Sequence, residues 1–458
     1  MNWSVRPSLA TLGLALTALV VGGCLGNGDS REATPVPQPT AAQLRASGLG
    51  KLPLAPAAKR VDLTAPPFSH PTAVTNPLFP ISELHSAVLN GRIQGKPFHT
   101  ETTLLPYTRA IEWPPGKQVE ALVSQYVAFL DGRIQEVALD YYAQADDGSV
   151  WYFGEDVFDY NEVGLIAFTT DSWVAGQDGP PAMIMPGDPK VGDAFRTENI
   201  PGLVFEEVTV KTVDKTVAGP TGQIQGVMVG EELHDDGMAS EKVFAPGYGE
   251  FLTRDTDGVE AMALAVPIDA LEGPPPAALE GLLKGADQAF GAARKRDWKG
   301  AEAAALAVTA AWHDYPELGK VPPRLKPPVN VAVDALSRAV DARDQRRVAT
   351  AAIDVGQAAL DIELRYRPPA EIDLARFELW ARQLIVDAEA NRLDWVNGDI
   401  AGLEWTRDRL VASLKPVDLT RINTTLLTIR EKAVDGEFEA ASRHAATLRR
   451  IVARLGPA

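Results

Sequence analysis

Residues Val119–Ala143 read "VEALVSQYVAFLDGRIQEVALDYYA": two runs rich in β-branched and aromatic residues, separated by Asp131-Gly132. Both central residues of a type I′ turn need positive φ, which Asp-Gly and Asn-Gly tolerate, so the stretch predicts a β-hairpin. On the outgoing run Val137, Leu139, Tyr141 and Ala143 share one face by period two, and Asp140 and Tyr142 fall on the other. The same chemistry recurs in "LDYYAQADDGSVWYFGEDVFDYN" (Leu139–Asn161) around Asp147-Gly148. Further Asn-Gly or Asp-Gly pairs start at Asn90, Asp178, Asp236 and Asp257, and "LNGRIQ" and "LDGRIQ" read as one turn written twice. Strand character continues in "LVFEEVTVKTV", "GQIQGVMVGEEL", "ASEKVFAPGYGEFLTR" and "GVEAMALAV". The expectation is a curved antiparallel sheet or half-barrel over residues 68–270, closed or half-closed to protect its edges.

Charge separates this region from the rest. Residues 65–272 hold 11 Lys and Arg against 32 Asp and Glu, a net charge of −21, whereas residues 273–458 hold 27 against 26. Such an acidic segment is unsuited to nucleic acid, whose phosphates need clustered cations. Pro274–Pro276 mark the boundary, and beyond it the composition turns to Ala, Leu, Arg and Glu. Four segments align on polar elbows near Asp297, Asp344, Arg392 and Asp435, with prolines between them. Breaks at proline and a period of 40–50 residues predict about eight helices over residues 275–458, as a repeat array or a bundle. Trp298, Trp380, Trp395 and Trp405 are expected to pack between these hairpins. The fold class is therefore α+β multidomain, sheet first and helical hairpins second, with charge arguing for two separate modules.

The N-terminus carries a different signal. Arg6 precedes a mostly apolar run, Leu9–Val21, that is too short to span a bilayer and has the proportions of a signal-peptide core. It ends in Val21-Gly22-Gly23-Cys24, which resembles the bacterial lipobox, where small residues precede a cysteine that becomes acylated. The resemblance implies a signal peptide over residues 1–23, acylation of Cys24 by palmitate-type chains, and a lipid-anchored protein on the exported face of the cell envelope. Cys24 is the only cysteine, so no intrachain disulfide or thiolate metal site is available. Residues 24–67, rich in Pro, Ala and Thr, are expected to form a disordered tether.

Three strings carry a second resemblance: "YYAQADDGSVWYFGEDVFDY", "SWVAGQDGPPAMIMPGDPKVGDAFRTE" and "KVFAPGYGEF". In this order they resemble an uncharacterised family of bacterial envelope proteins, over roughly residues 70–265. The resemblance implies no reaction. Read physically, the middle string is an ordered loop dense in Gly, Pro and Asp, expected to act as a lid carrying Trp173, Met183 and Met185.

Candidate chemistry centres on the aromatic-acidic hairpin. An EF-hand in register with Gly148 would place Ala143 and Ala145 at ligand positions, so that motif fails. A different calcium site from Asp140, Glu155, Asp156 or Asp159 stays open. Tyr142, Trp151, Phe153, Glu155 and Asp156, with Trp173 from the loop, supply aromatic and carboxylate types for ligand binding or glycoside hydrolysis. Nucleophile-elbow, zincin, phosphate-loop and dinucleotide motifs are absent, and the six histidines are scattered singly. His313 and Glu317 are four apart, but Pro316 is expected to end the helix between them, and the H-x-x-E spacing of imelysin-like iron proteins is absent. No catalytic residue, cofactor or metal site is assigned. The functional expectation is a non-catalytic envelope module that binds a small-molecule ligand or a protein partner and meets the membrane through its lipid. The alternatives are a carboxylate-based envelope hydrolase and a divalent-cation-binding lipoprotein.

Overall fold

A computed structural model describes residues 33–318 and 321–455. The expected signal peptide, Cys24 and the start of the expected tether lie outside the described residues. After β1 (Thr34–Pro35), α1 (Ala41–Ala46) and β2 (Thr64–Ala65) come the long strands β3 (Ser86–Ile93), β4 (Lys96–Glu112), β5 (Gln118–Leu130), β6 (Arg133–Gln144) and β7 (Val150–Tyr160). Three short strands follow, β8 (Ile166–Phe168), β9 (Trp173–Val174) and β10 (Ala182–Met185). The sheet is completed by β11 (Ala194–Ile200), β12 (Val204–Ala218), β13 (Gln223–His234), β14 (Ala239–Ala245), β15 (Gly249–Arg254) and β16 (Gly258–Val266).

These make one 14-stranded antiparallel sheet in the order β10-β7-β6-β5-β4-β3-β16-β15-β14-β13-β12-β11, with β8 and β9 also paired to β7. The path is coiled but not closed, because β10 and β11 lie side by side with no ladder between them. Coiling is read from Phe79, whose ring lies 5.0 Å from that of Tyr142 on β6 and 6.5 Å from that of Phe244 on β14, distant strands along the path. The predicted turn at Asp131-Gly132 forms, with φ of 51° and 76°. The expected turn at Asn90-Gly91 does not. Both residues lie inside β3, and the turn falls at Gln94-Gly95, with φ of 49° and 78°. Gly91 is needed for a different reason: a Cβ there would sit 1.7 Å from the Val259 carbonyl oxygen on β16.

The chain between 71 and 84 plugs one end of the coil. Asn76 Nδ2 donates to the carbonyls of Gly148 (2.9 Å) and Pro186 (3.0 Å), and Gly247 N donates to Pro77 O (2.8 Å). Residues 33–67, expected as a disordered tether, instead fold onto the sheet. Val61 N donates to Ala194 O (3.0 Å) along the free edge of β11, and Asp62 accepts from Arg196 N (2.9 Å). Arg60 pairs with Asp62 at 2.5 Å in a buried setting. A proline-rich strap has little conformational freedom to lose, and it covers an edge that would otherwise recruit other strands.

The helices form four hairpins: α2 (Ala277–Lys295) with α3 (Trp298–Leu318), α4 (Lys326–Asp341) with α5 (Gln345–Glu363), α6 (Pro369–Glu389) with α7 (Leu393–Arg409), and α8 (Pro416–Val434) with α9 (Phe438–Val452). The elbows fall where the sequence put them, with left-handed residues at Arg296, Arg343, Asn391 and Gly436. Pro316 does not end α3, which continues to Leu318. No helix among the described residues is long and apolar enough to cross a membrane.

The two regions are not separate modules. Val88, Leu264 and Val266 of the sheet share one apolar core with α2 to α5, and Val127, Phe129 and Val137 share another with Ala401 of α7. Trp380 stacks on Phe129 at 5.5 Å, and Trp405 packs on Phe158 at 5.1 Å, so both face the sheet and not only a neighbouring hairpin. Beside them lies a buried ion network: Arg376 contacts Asp361 (2.8 Å) and Glu101 (3.4 Å), and Arg409 pairs with Glu101 and Asp373. The arginines hold the Glu101 carboxyl well below the usual range although burial opposes this.

Candidate functional site

The helices cover the outer face of β3 to β7, so the other face lines the coil. Register identifies its residues. On β6 and β7, Asp140 lies opposite Glu155, Glu136 opposite Asp159, and Tyr142 opposite Tyr152. Strict alternation would put Tyr152 and Glu155 on opposite faces. A register shift between Asp140 and Tyr142, with Gly154 at φ 125°, brings them to the same one. Of the six residues picked from sequence, Tyr142, Glu155 and Trp173 therefore meet inside. The other three do not join them. Trp151 and Phe153 are core residues of the opposite face, with Phe153 packed on Phe68 at 5.3 Å and Trp113 at 6.1 Å. Asp156 pairs with Arg109 at 3.0 Å and accepts from the Tyr141 hydroxyl at 2.6 Å. The loop expected to be a lid lies along the edge of β7, where Trp173 pairs with Glu155 and Met183 with Trp151.

Inside, aromatic rings run from the plug toward the mouth. Phe79 meets Tyr142 edge-on at 5.0 Å, Tyr142 stacks on Tyr152 at 4.9 Å, and Tyr152 meets Trp173 edge-on at 5.4 Å. Their polar ends hold carboxylates. Tyr152 OH donates to Asp140 (2.7 Å) and Trp173 Nε1 to Glu155 (3.3 Å). Burial pushes Asp140 up to about 7, and burial plus the Asp140 charge lifts Glu155 well above its ordinary range. Glu136 is pushed up to about 8 by burial and by Asp159.

The acidic lining continues around the coil. Glu198 on β11 is raised by burial, then by the charge of its ladder partner Glu206 and by that of Glu155. Glu260 on β16 accepts from Thr100 Oγ1 at 2.5 Å and is raised to about 7 by burial and by Glu250. On the far wall charges alternate. Glu206 meets His234 Nδ1 at 2.9 Å, Lys242 lies 3.4 Å from Glu232, and Lys242 lies 3.0 Å from Glu250. Burial opposes ionisation of Glu206, but the His234 hydrogen bond and charge hold it at about 2. Glu136, Glu198, Glu206, Glu250 and Glu260 all keep partial exposure, so solvent reaches this face.

No known protein family, curated protein or solved structure matches the chain.

The site is therefore defined by its own geometry. It is a cup plugged by residues 71–84, aromatic near its base and acidic toward its mouth. Among the described residues, Lys242 and His234 are the cationic side chains on this face. Sequence reasoning missed Glu198, Glu206, Glu232, Glu250 and Glu260 because they come from separate strands. Period-two spacing did carry a signal at Glu232-x-His234, which puts two polar groups on one face of β13.

Proposed function

We propose that the chain is an exported, lipid-anchored cell-envelope protein that binds a cationic organic ligand in the acidic cup without transforming it. The single observation that supports this most is the excess of acidic over basic side chains on the inner face, where nine carboxyl groups between Glu136 and Glu260, Asp159 among them, face two cationic side chains. Carboxyl groups crowded in a concave, low-dielectric space favour a positive charge entering it. Aromatic faces beside them stabilise an ammonium or guanidinium group further. Anchorage rests on the lipobox-like Val21–Cys24, and labelling with radioactive palmitate in a bacterial host, abolished by Cys24→Ser, is the result this reading requires.

The ligand arm is tested by calorimetric titration of the Cys24→Ser chain with spermidine. Saturable binding is expected, weakened about tenfold or more by Glu155→Gln with Glu198→Gln, and weakened by added salt. Absence of saturable heat, or affinity indifferent to both substitutions, removes the reading.

One observation favours hydrolysis as the second reading. Glu198 and Glu206 are direct partners in the β11–β12 ladder, one carboxyl raised and the other held at about 2, the divergence an acid and a base need. Turnover of chromogenic glycosides, lost in Glu206→Gln, would favour it over simple binding.

A further inference from the structure

Two groups of metal-ligating side chains exist among the described residues, each with its donor atoms within 4.8 Å of one another. They differ in what surrounds them. His99, Glu101 and Asp361 lie at the joint between sheet and helices. There Arg376 contacts both Glu101 and Asp361, and Arg409 also pairs with Glu101, each arginine almost fully buried. Two fixed guanidinium groups already satisfy those carboxylates and repel a further cation.

Glu206, Glu232 and His234 stand on the cup wall, and their convergence follows from strand geometry. Glu232 and His234 are two apart on β13, hence on one face, and Glu206 is the direct partner of His234 on β12. Ser240, the partner of Glu232 on β14, adds an oxygen 3.1 Å from His234 Nε2 and 3.3 Å from Glu232. The cation nearest Glu232 is Lys242 at 3.4 Å, but Lys242 is closer to Glu250, at 3.0 Å. It can stay on Glu250 when another cation takes Glu232. With a neutral imidazole and all three carboxyl groups ionised, Glu206, Glu232, Glu250 and Lys242 would leave this wall two negative charges in excess, the complement of a divalent ion.

We propose that Glu206, Glu232 and His234 bind one first-row divalent transition-metal ion of the zinc or manganese type, with a coordination position open to the cup. An imidazole with two carboxylates suits these ions. Calcium and magnesium favour all-oxygen sets. The His234 imidazole, which now bridges Glu206 and Ser240, gives up one of those contacts and binds the ion in its neutral form, so affinity falls as pH drops.

The test is calorimetric titration of the full chain carrying Cys24→Ser, which removes the only thiol, with zinc chloride and then manganese chloride. One equivalent should bind saturably, be released by EDTA, resist competition by equimolar calcium, and raise the melting temperature. His234→Ala and Glu206→Gln should each weaken binding tenfold or more, and His99→Ala should leave it unchanged. Should His234→Ala not fold, His234→Gln keeps a hydrogen-bonding side chain at that position and is expected to weaken binding equally. Wild-type cobalt binding adds an independent readout, because imidazole coordination shifts and intensifies the visible spectrum relative to the aquo ion. No saturable binding, a cobalt spectrum like the aquo ion, or binding unchanged in the His234 and Glu206 variants overturns the proposal. The spermidine reading is decided separately, by the Glu155→Gln, Glu198→Gln variant, which leaves all three proposed ligands in place.

Discussion

At Gly154 the backbone takes φ 125°, and a Cβ there would lie 2.1 Å from the Trp173 carbonyl oxygen. Only glycine meets both demands, the dihedral angle and the close approach of β9. The consequence is chemical, because the shift in register at this point turns Glu155 inward to join Tyr152 and Trp173. Without it Glu155 would share a face with Trp151 and Phe153, away from the cup. Gly154→Ala is expected to destabilise the chain by about 2–4 kcal/mol, from backbone strain plus displacement of the β9 backbone. Urea unfolding followed by circular dichroism measures this. The same variant should lose affinity for spermidine under conditions where it remains folded, and wild-type stability in G154A would show that β9 yields freely.

At the scale of elements, the joint between β4 and the helices α5, α6 and α7 is built from charges that replace one another's hydration. Arg376 is 1% exposed and serves Glu101, Asp361 and Asp373 together. Removing it takes the guanidinium from buried Asp361 and leaves Glu101 and Asp373 to share Arg409 alone, so Arg376→Met is expected to cost about 3–5 kcal/mol. Arg443, paired with Glu439 at 2.6 Å in solvent, is the contrast: Arg443→Ala should change stability by no more than about 0.5 kcal/mol. Equal effects of the two substitutions in chemical denaturation would refute a structural role for the network. Elements of this kind were legible in sequence where the signal is local. The Asp131-Gly132 turn, the strands on either side and the four helical elbows follow from turn chemistry, alternation and proline placement. What sequence did not disclose is non-local. Asn90-Gly91 has turn chemistry, yet β16 draws it into a strand. The strap of residues 33–67 is polar and proline-rich, yet the open edge of β11 orders it. Trp380 and Trp405 have helical spacing suited to packing between hairpins, and Trp380 does pack into the helical core, yet both also pack on the sheet. The cup itself is the extreme case, since its carboxylates come from β6, β7, β11, β12, β13, β15 and β16, and no window of sequence contains them together.

Across the whole molecule the sheet supplies two working faces. The outer one shares apolar cores with the helices, and the inner one gathers carboxyl groups. That arrangement sets how stability responds to pH. Glu136, Asp140, Glu232 and Glu260 are all raised, to between about 7 and about 8, by burial and then by neighbouring carboxylates, Asp159 for Glu136, Glu206 for Glu232 and Glu250 for Asp140 and Glu260. The native state therefore holds protons that the unfolded chain has already released, from roughly pH 4 up to about pH 8. A state that binds more protons loses ground as pH rises, so this contribution is complete below the unfolded carboxyl values and fades as pH climbs through the folded ones. Glu206 and Glu101 act in the other direction: lowered by His234 and by Arg376 and Arg409 although burial opposes it, they stabilise above the ordinary carboxyl range and lose that contribution as pH falls below that range, Glu206 toward about 2. Stability should consequently peak near pH 5. The melting temperature should fall by a few degrees between about pH 5 and about pH 8, the contribution being moderated because several of these groups reach solvent. Differential scanning calorimetry checks it, and a flat or rising melting temperature over that interval would contradict the crowding of carboxyl groups inside the coil. Spermidine should reduce the fall, since it neutralises the charges that appear at the upper end. Glu136→Gln with Asp140→Asn should flatten the slope and raise the melting temperature at pH 8, because the neutral amides cannot acquire the charge that the cup disfavours.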